Sequence, residues 1–169
     1  MRVIGIDLGQ NLGVAVCDDG RITHAGLLVG PTATQQLCGA LRSFINAPAI
    51  CWERSLWLPG RRSAFQLVER QRGAILEALG SDTEVLEVAP QQPRAALLGD
   101  GNASDARILE WVLQAGLFYV LPKKKRRTDL SDELAAVHRT KAAHVCDAIL
   151  LALYGHSRLA WMQRVNEAQ

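Results

Sequence analysis

Short apolar runs separated by turn residues dominate the first part of the chain. Runs bounded by Gly, Asn and Asp predict strands over Val3–Leu8, Gly13–Cys17 and Arg21–Val29. The second and third runs are separated by Asp18-Asp19-Gly20, a sequence typical of hairpin turns. Because consecutive strands joined by short turns pair antiparallel, we expect the chain to begin with a three-stranded antiparallel sheet.

Helical and strand-like periods alternate over the rest of the chain. Apolar runs predict strands over Ala49–Glu53 and Glu84–Val88. Apolar positions at helical spacing predict a helix from Thr32 to about Asn46 and further helices over Ser63–Leu79, Gln91–Leu98, Ser104–Gln114 and Leu130–Tyr154. The last helix has a predicted break near 138–140, a cap at Gly155 and a terminal stretch of about a dozen residues that frays. This order predicts one α/β domain over residues 1–169, with a mixed five-stranded sheet and helices on both faces.

Composition places the chain among ordinary globular proteins. Of its 169 residues, 49% are hydrophobic and 21% are charged. No apolar run approaches the roughly 18 residues of a membrane span, and no basic segment followed by an apolar leader opens the chain. We therefore expect a cytoplasmic protein without membrane contact, either nucleoid-associated or acting in a phage-infected cell. The four cysteines lack paired spacing, which indicates buried free thiols rather than a zinc site.

Positive charge is concentrated near the end of the chain. The net charge is only +2, but residues 121–143 carry +4 and the remainder −2. A polar basic loop within this segment is predicted to contact DNA phosphates, although a solvated loop would have the same composition. Its candidate residues are Lys123, Lys124, Lys125, Arg126 and Arg127.

Three acids lie in unusually apolar surroundings. Asp7 and Glu53 each end an apolar strand, and Asp147 lies three residues after His144 on an apolar helix, so these two side chains share a face. Taken singly, Asp7 is more typical of a turn and Glu53 of a solvated strand end, and His144 with Asp147 could be a buried pair. Taken together, converging carboxylates repel one another and are stabilised by divalent cations.

Asp, Glu and His side chains suit Mg²⁺ or Mn²⁺. Two such ions about 4 Å apart are the usual arrangement for phosphodiester hydrolysis. We therefore hypothesise that Asp7 is buried because it bridges two ions, with Glu53, His144 and Asp147 completing the site. No covalent nucleophile and no nucleotide cofactor are needed, and His144 could act as a ligand or as a base.

The residues also resemble the RuvC-type Holliday-junction resolvases of the RNase H-like superfamily. The resemblance covers most of the chain, in order through "GIDLGQNLGVAV", "CWERSLW", "RQRGAILEALGSDTEVLEVAPQQPRAALLGDGNASDARILEWV" and "HVCDAILLALYG". It implies an RNase H-like fold, with the metal-binding and catalytic positions of the family at Asp7, Glu53, His144 and Asp147. It also implies a homodimer that makes paired nicks in four-way DNA junctions with Mg²⁺ or Mn²⁺.

Several DNA-contacting positions follow from the resemblance and from the local charge. A basic residue of the family corresponds to Arg94, whereas a second, a lysine, is replaced by Asp105, with Arg107 two residues later. Leu56 and Trp57 compete for an aromatic position near the junction crossover, where Trp57 would stack on a base or pack on the next helix. Arg54, Arg61 and Arg62 are predicted near the strand ends and complete the candidate DNA-binding set.

Three other function classes are compatible with parts of the sequence. Actin-like and sugar-kinase ATPases share a "GIDLG"-like phosphate loop but need a second lobe, for which the chain has no room. A non-catalytic DNA-binding module would not need all four metal positions. An RNase H-like nuclease acting on flaps, forks or RNA–DNA hybrids is the main competitor. For the homodimer, an apolar stripe on the second helix is the candidate interface, and it comprises Phe65, Val68, Ile75, Leu76 and Leu79, interrupted by Arg72.

Overall fold

The computed structural model describes residues 1–43, 48–55, 60–80, 83–117 and 141–168. Five strands and five helices lie within these ranges. The strands are β1 (Arg2–Asp7), β2 (Asn11–Asp18), β3 (Arg21–Val29), β4 (Ala49–Glu53) and β5 (Val85–Val88). The helices are α1 (Ala33–Leu41), α2 (Arg62–Leu79), α3 (Gln91–Leu98), α4 (Asp105–Gln114) and α5 (Ala142–Glu167).

The strands form one mixed sheet in the order β3-β2-β1-β4-β5. The pairs β1–β2 and β2–β3 are antiparallel, whereas β1–β4 and β4–β5 are parallel. The tight turn between β2 and β3 uses left-handed backbone at Asp19 (φ 47°) and Gly20 (φ 82°), as a two-residue hairpin requires. The predicted sheet, with three antiparallel strands followed by parallel ones, is confirmed.

Helices cover both faces of the sheet. On one face, Ile4, Ile6, Ile50 and Trp52 pack against residues of α1 and α2 such as Leu37. The alternate residues of β1 and β4 face α5 on the other side, where α3 and α4 also lie. Because successive residues of β1 and β4 point to opposite faces and both faces are buried, these strands appear in the sequence as continuous apolar runs.

Helix α5 packs unusually close to the centre of the sheet because two strands carry glycine at the contact. A Cβ atom on Gly5 of β1 would overlap the backbone of Ala148, and one on Gly13 of β2 would overlap the carbonyl of His144. Gly13 pairs with Asp7 in the β1–β2 ladder. The glycine therefore lets the helix turn that carries His144 approach the strand end that carries Asp7.

The predicted cap at Gly155 is wrong. Helix α5 continues through Gly155 to Glu167. A Cβ atom at Gly155 would lie 2.8 Å from Cβ of Cys51 and 3.0 Å from Cγ1 of Val3. The absence of a side chain thus permits close packing on β1 and β4 rather than the end of the helix.

The remaining element boundaries agree with the sequence predictions to within a few residues where they are described. The predicted end of the first helix near Asn46, Leu56 and Trp57, the basic loop 123–127 and the helical stretch before Lys141 lie outside the described residues. Among the described helices, none is both long enough and apolar enough to cross a membrane.

The close approach of α5 predicts a contrast between two glycines of the sheet. Gly13→Ala forces the strand and helix backbones apart and should lower the free energy of unfolding by about 3 kcal/mol. Gly26→Ala on β3, where an added Cβ meets nothing within 4 Å, should leave stability unchanged or slightly raised. Urea denaturation of both variants tests this. Equal stabilities would show that α5 does not rest on the Gly13 backbone.

Candidate active site

The ends of two neighbouring parallel strands place two acids side by side. In the β1–β4 ladder, Ile6 pairs with Trp52, and Asp7 and Glu53 are the next residues of each strand. Both residues belong to the alternate positions of their strands that face α5. The side chain of Asp7 is only 17% exposed, and Glu53 is also largely enclosed. Ending parallel strands at the same edge is therefore enough to bring two carboxylates into one place.

Helix α5 supplies two more polar side chains at the same edge. Nδ1 of His144 hydrogen-bonds Oδ2 of Asp7 at 2.6 Å. The other ring nitrogen, Nε2, lies 3.4 Å from the side-chain nitrogen of Asn11, at the start of β2. One helical turn along, Asp147 is 17% exposed and faces the same cluster. We refer to Asp7, Glu53 and Asp147 below as the acid cluster.

Arg94 of α3 contacts the acid cluster directly. Its Nη2 donates to Oδ1 of Asp147 at 3.1 Å, and its Nη1 donates to the carbonyl of Ala103 at 2.9 Å. The same Nη2 lies 3.6 Å from Oδ1 of Asp105, at the start of α4. Arg94, predicted as a DNA contact, is thus an ion-pair partner of Asp147 in this structure.

The carboxylates of the acid cluster disfavour one another's charge. Burial, together with repulsion from Asp147 and Asp7 and against the attraction of Arg94, raises the pKa of Glu53 to about 7. Burial, followed by repulsion from Asp7, raises the pKa of Asp147 to about 6. The hydrogen bond to Asp7 raises the pKa of His144 above its ordinary value. Full ionisation of the three carboxylates is therefore unfavourable near neutral pH unless a further positive charge is present.

This donor set fits a hard divalent cation in its chemistry, but the side chains are not preformed around one. Within the described ranges, no group of three or more His, Cys, Asp or Glu side chains is arranged to hold a metal ion. Asp7 is instead hydrogen-bonded to His144, and Asp147 accepts a hydrogen bond from Arg94. Burial and mutual repulsion disfavour the charged forms of Glu53 and Asp147, and a bound cation would favour them. Small side-chain rotations would have to accompany binding.

A buried arginine that the sequence analysis left without a role supports Glu53 from the opposite face of the sheet. Arg72 of α2 donates through Nη2 to the backbone carbonyl of Glu53 and through Nη1 to Oε1 of Glu87 at 2.9 Å. Its guanidinium lies 5.3 Å from the ring centre of Trp52, whose Nε1 donates to the same Glu87 oxygen at 3.2 Å. The interruption of the apolar stripe at Arg72 was the available signal, because a charge within a buried face needs a partner.

The loop after Asp7 is tied down by a second buried polar residue of α2 that the sequence did not single out. The side-chain nitrogen of Gln71 donates to the carbonyl of Gly9 at 2.9 Å, and it lies 3.4 Å from Oγ1 of Thr34. Gln71 is only 5% exposed. This contact fixes the β1–β2 connection next to the acid cluster.

A cavity of about 210 Å³ opens beside Asp7 and Glu53. Arg54 and Arg61 line it, together with Phe65 and Val68 of α2. Of the other predicted DNA contacts, Arg62 is exposed at the start of α2. Arg107 is paired with Asp100 at 2.8 Å. Leu56, Trp57 and the five residues of the basic loop lie outside the described residues.

Comparison with known proteins gives structural matches only. No protein-family model and no curated protein matches the sequence. Thermus thermophilus RuvC matches with a TM-score of 0.62 at 24% identity, covering 96% of this chain and 97% of that one. A structure of T. thermophilus RuvC in complex with a Holliday junction substrate has a TM-score of 0.62 at 22% identity, covering 96% of each chain.

A virus protein shares the same architecture. The fowlpox virus resolvase, in a complex with its substrate Holliday junction DNA, matches with a TM-score of 0.55 at 15% identity, covering 94% of this chain and 99% of that one. These likenesses establish the RNase H-like fold over nearly the whole chain. The predicted fold class is confirmed in full.

The electrostatics of Glu53 predict how stability depends on pH. Because the folded protein holds the Glu53 proton up to about pH 7 and an ordinary Glu loses it near 4.5, the contribution of Glu53 to the free energy of unfolding falls as pH rises between these values. Glu53→Gln removes this loss. Without divalent ions, its stability relative to wild type should rise by about 2–3 kcal/mol between pH 4.5 and pH 8.

Urea denaturation at several pH values, in the presence of a chelator, measures the difference. Glu77→Gln, at an exposed position of α2, is the control and should show no such rise. A difference for Glu53→Gln that stays constant with pH would contradict the buried, mutually repelling arrangement.

Proposed function

We propose that this protein is a RuvC-type endonuclease that resolves four-way DNA junctions with the help of divalent cations. One observation carries the proposal: the acid cluster lies at the strand ends of an RNase H-like fold, with His144 in direct contact with Asp7. The fold is shared over 96% of the chain with a resolvase whose structure contains a Holliday junction. The sequence resemblance, which runs in order through four segments, supports the same activity.

The acid cluster provides the chemistry. Asp7, Glu53 and Asp147 would hold Mg²⁺ or Mn²⁺ through carboxylate oxygens, with His144 as a further ligand or as a base. Two bound ions would lower the pKa of the attacking water and stabilise the leaving 3′ oxygen of the phosphodiester. Asp7 is central because it lies between Glu53 on the neighbouring strand and His144 on the helix. Arg72 and Gln71 hold the backbone of Glu53 and of the loop after Asp7, which keeps the carboxylates in register.

The cavity beside the acid cluster is suited to the DNA backbone. Arg54 and Arg61 line it and would neutralise phosphates on either side of the scissile bond. Such contacts give affinity that falls with salt and carries no sequence information. The basic loop 123–127, Arg62, Arg107 and Trp57 would extend the DNA contacts away from the site.

A homodimer is part of the proposal, because paired nicks on opposing strands require two active sites. Ile75 of the candidate stripe is fully buried in the core and is therefore not available for an interface. Leu76 is 39% exposed, and Phe65, Val68 and Leu79 are half-buried. Because Phe65 and Val68 also line the cavity beside the acid cluster, we propose that Leu76 and Leu79, near the end of α2, form the dimer contact.

The role of Asp7 predicts a separation of binding from cleavage. Asp7→Asn keeps the size of the side chain but removes the charge that the reaction needs. Cleavage of a synthetic four-way junction in Mg²⁺ should fall by a factor of about a thousand, since several kcal/mol of transition-state stabilisation are lost. Junction binding, measured by gel shift, should remain within a few-fold of wild type. Asp19→Asn, in the exposed turn between β2 and β3, is the matched control and should cleave normally.

Substrate choice distinguishes a resolvase from other RNase H-like nucleases. We expect symmetric paired nicks in a four-way junction and much slower cleavage of a fork, a flap, a linear duplex and an RNA–DNA hybrid. All five substrates are assayed with Mg²⁺ and with Mn²⁺, at matched salt. Preferential cleavage of a flap, a fork or the hybrid would replace the resolvase assignment by the second candidate function, a nuclease of the same fold with that substrate.

A further inference from the structure

Arg94 is held by three acceptors that belong to three different parts of the fold. Its Nη1 donates to the carbonyl of Ala103, in the turn before α4, at 2.9 Å. Its Nη2 contacts Oδ1 of Asp147 on α5 at 3.1 Å and lies 3.6 Å from Oδ1 of Asp105 on α4. The guanidinium therefore sits between two carboxylates, of which one belongs to the acid cluster.

The two carboxylates differ in exposure. Asp147 is 17% exposed and Asp105 is 67% exposed. Arg94 itself is 21% exposed, and its buried Nε has no hydrogen-bond partner among the residues that the structure describes. Arg94 thus places a positive charge against the acid cluster without satisfying all of its own donors. Such a contact compensates charge but is easily exchanged for a better one.

We propose that Arg94 is the internal counter-cation of the acid cluster and that it moves from Asp147 to Asp105 when a divalent cation binds Asp147. This inference rests on the proposed function, because it takes the acid cluster to be the metal site. Arg94 and the metal then compete for one carboxylate. Asp105 is the alternative partner that keeps the arginine in place during the exchange.

The geometry makes this exchange small. The same Nη2 atom faces both carboxylates, and the bond from Nη1 to Ala103 anchors the other side of the guanidinium. A rotation about the last bonds of the side chain is enough to shorten one contact and lengthen the other. The positive charge remains at the edge of the acid cluster in both states, where a DNA phosphate would approach. Arg94 is therefore a positioning residue for metal and phosphate.

Competition predicts that removing the arginine strengthens metal binding. Mn²⁺ affinity of the DNA-free protein, measured by calorimetry, should rise about tenfold in Arg94→Gln, since a charge-assisted bond to Asp147 no longer has to be broken. Arg94→Lys keeps a cation and should stay close to wild type. Arg164→Gln, which removes an exposed arginine near the end of α5, is the control and should leave Mn²⁺ affinity unchanged. Unchanged or weaker Mn²⁺ binding by Arg94→Gln would overturn the competition.

The alternative partner is tested through Asp105. Asp105→Asn leaves Arg94 with Asp147 alone, so Mn²⁺ affinity should fall several-fold. In the Arg94→Gln background the same substitution should have little effect, because no arginine remains to be transferred. An equal loss in both backgrounds would mean that Asp105 acts only through its charge, and it would overturn the exchange. Circular dichroism checks the folding of each variant, and Arg94→Ala supplies the arginine-free background for both measurements if Arg94→Gln does not fold.

Failure of this inference differs from failure of the proposed function. Wild-type protein that binds no Mn²⁺ would overturn both. Wild-type protein that binds Mn²⁺ through Asp7, with affinity lost in Asp7→Asn but unaffected by Arg94→Gln, would leave the metal site standing and reject the role of Arg94 alone.

Discussion

The contact between α5 and the glycines of β1 and β2 is the constraint on which the site depends. Gly5 and Gly13 let the helix backbone come closer to the sheet than any side chain would allow. Gly13 pairs with Asp7, so the helix turn at His144 is set directly against that strand end. Parallel pairing of β1 with β4 then adds Glu53. Residues more than 130 positions apart thus meet because of backbone packing, before any side-chain interaction is considered.

This packing brings three carboxylates together, and Arg94 partly compensates the resulting repulsion. Three carboxylates share one partly buried edge, and burial together with mutual repulsion raises the pKa of Glu53 and of Asp147. Arg94 pairs with Asp147, whereas Arg72 acts from the other face of the sheet by donating to the backbone carbonyl of Glu53. Burying these carboxylates together therefore lowers the stability of the folded protein, as is common at functional sites. A bound cation would recover it.

Most of the fold could be predicted from the local pattern of apolar and polar residues. Apolar runs and turn residues placed all five strands, and helical spacing placed α2, α3 and α4 almost to the residue. The prediction of a cap at Gly155 was wrong because the sequence alone does not distinguish a glycine at a close helix–sheet contact from a glycine at a helix end. The ion pair between Arg94 and Asp147 and the bonds of Arg72 join distant segments. No spacing rule predicts them, although a charge interrupting an apolar stripe indicated that Arg72 had a partner.

The proposed function requires Asp7, Glu53 and Asp147 to form one metal site at the strand ends. Anomalous diffraction from crystals of the protein soaked in Mn²⁺ locates the bound ions. We expect anomalous density within coordination distance of oxygens from all three carboxylates. Density elsewhere, or none at the strand ends with Asp147 still bonded to Arg94 and Asp7 to His144, would contradict this expectation.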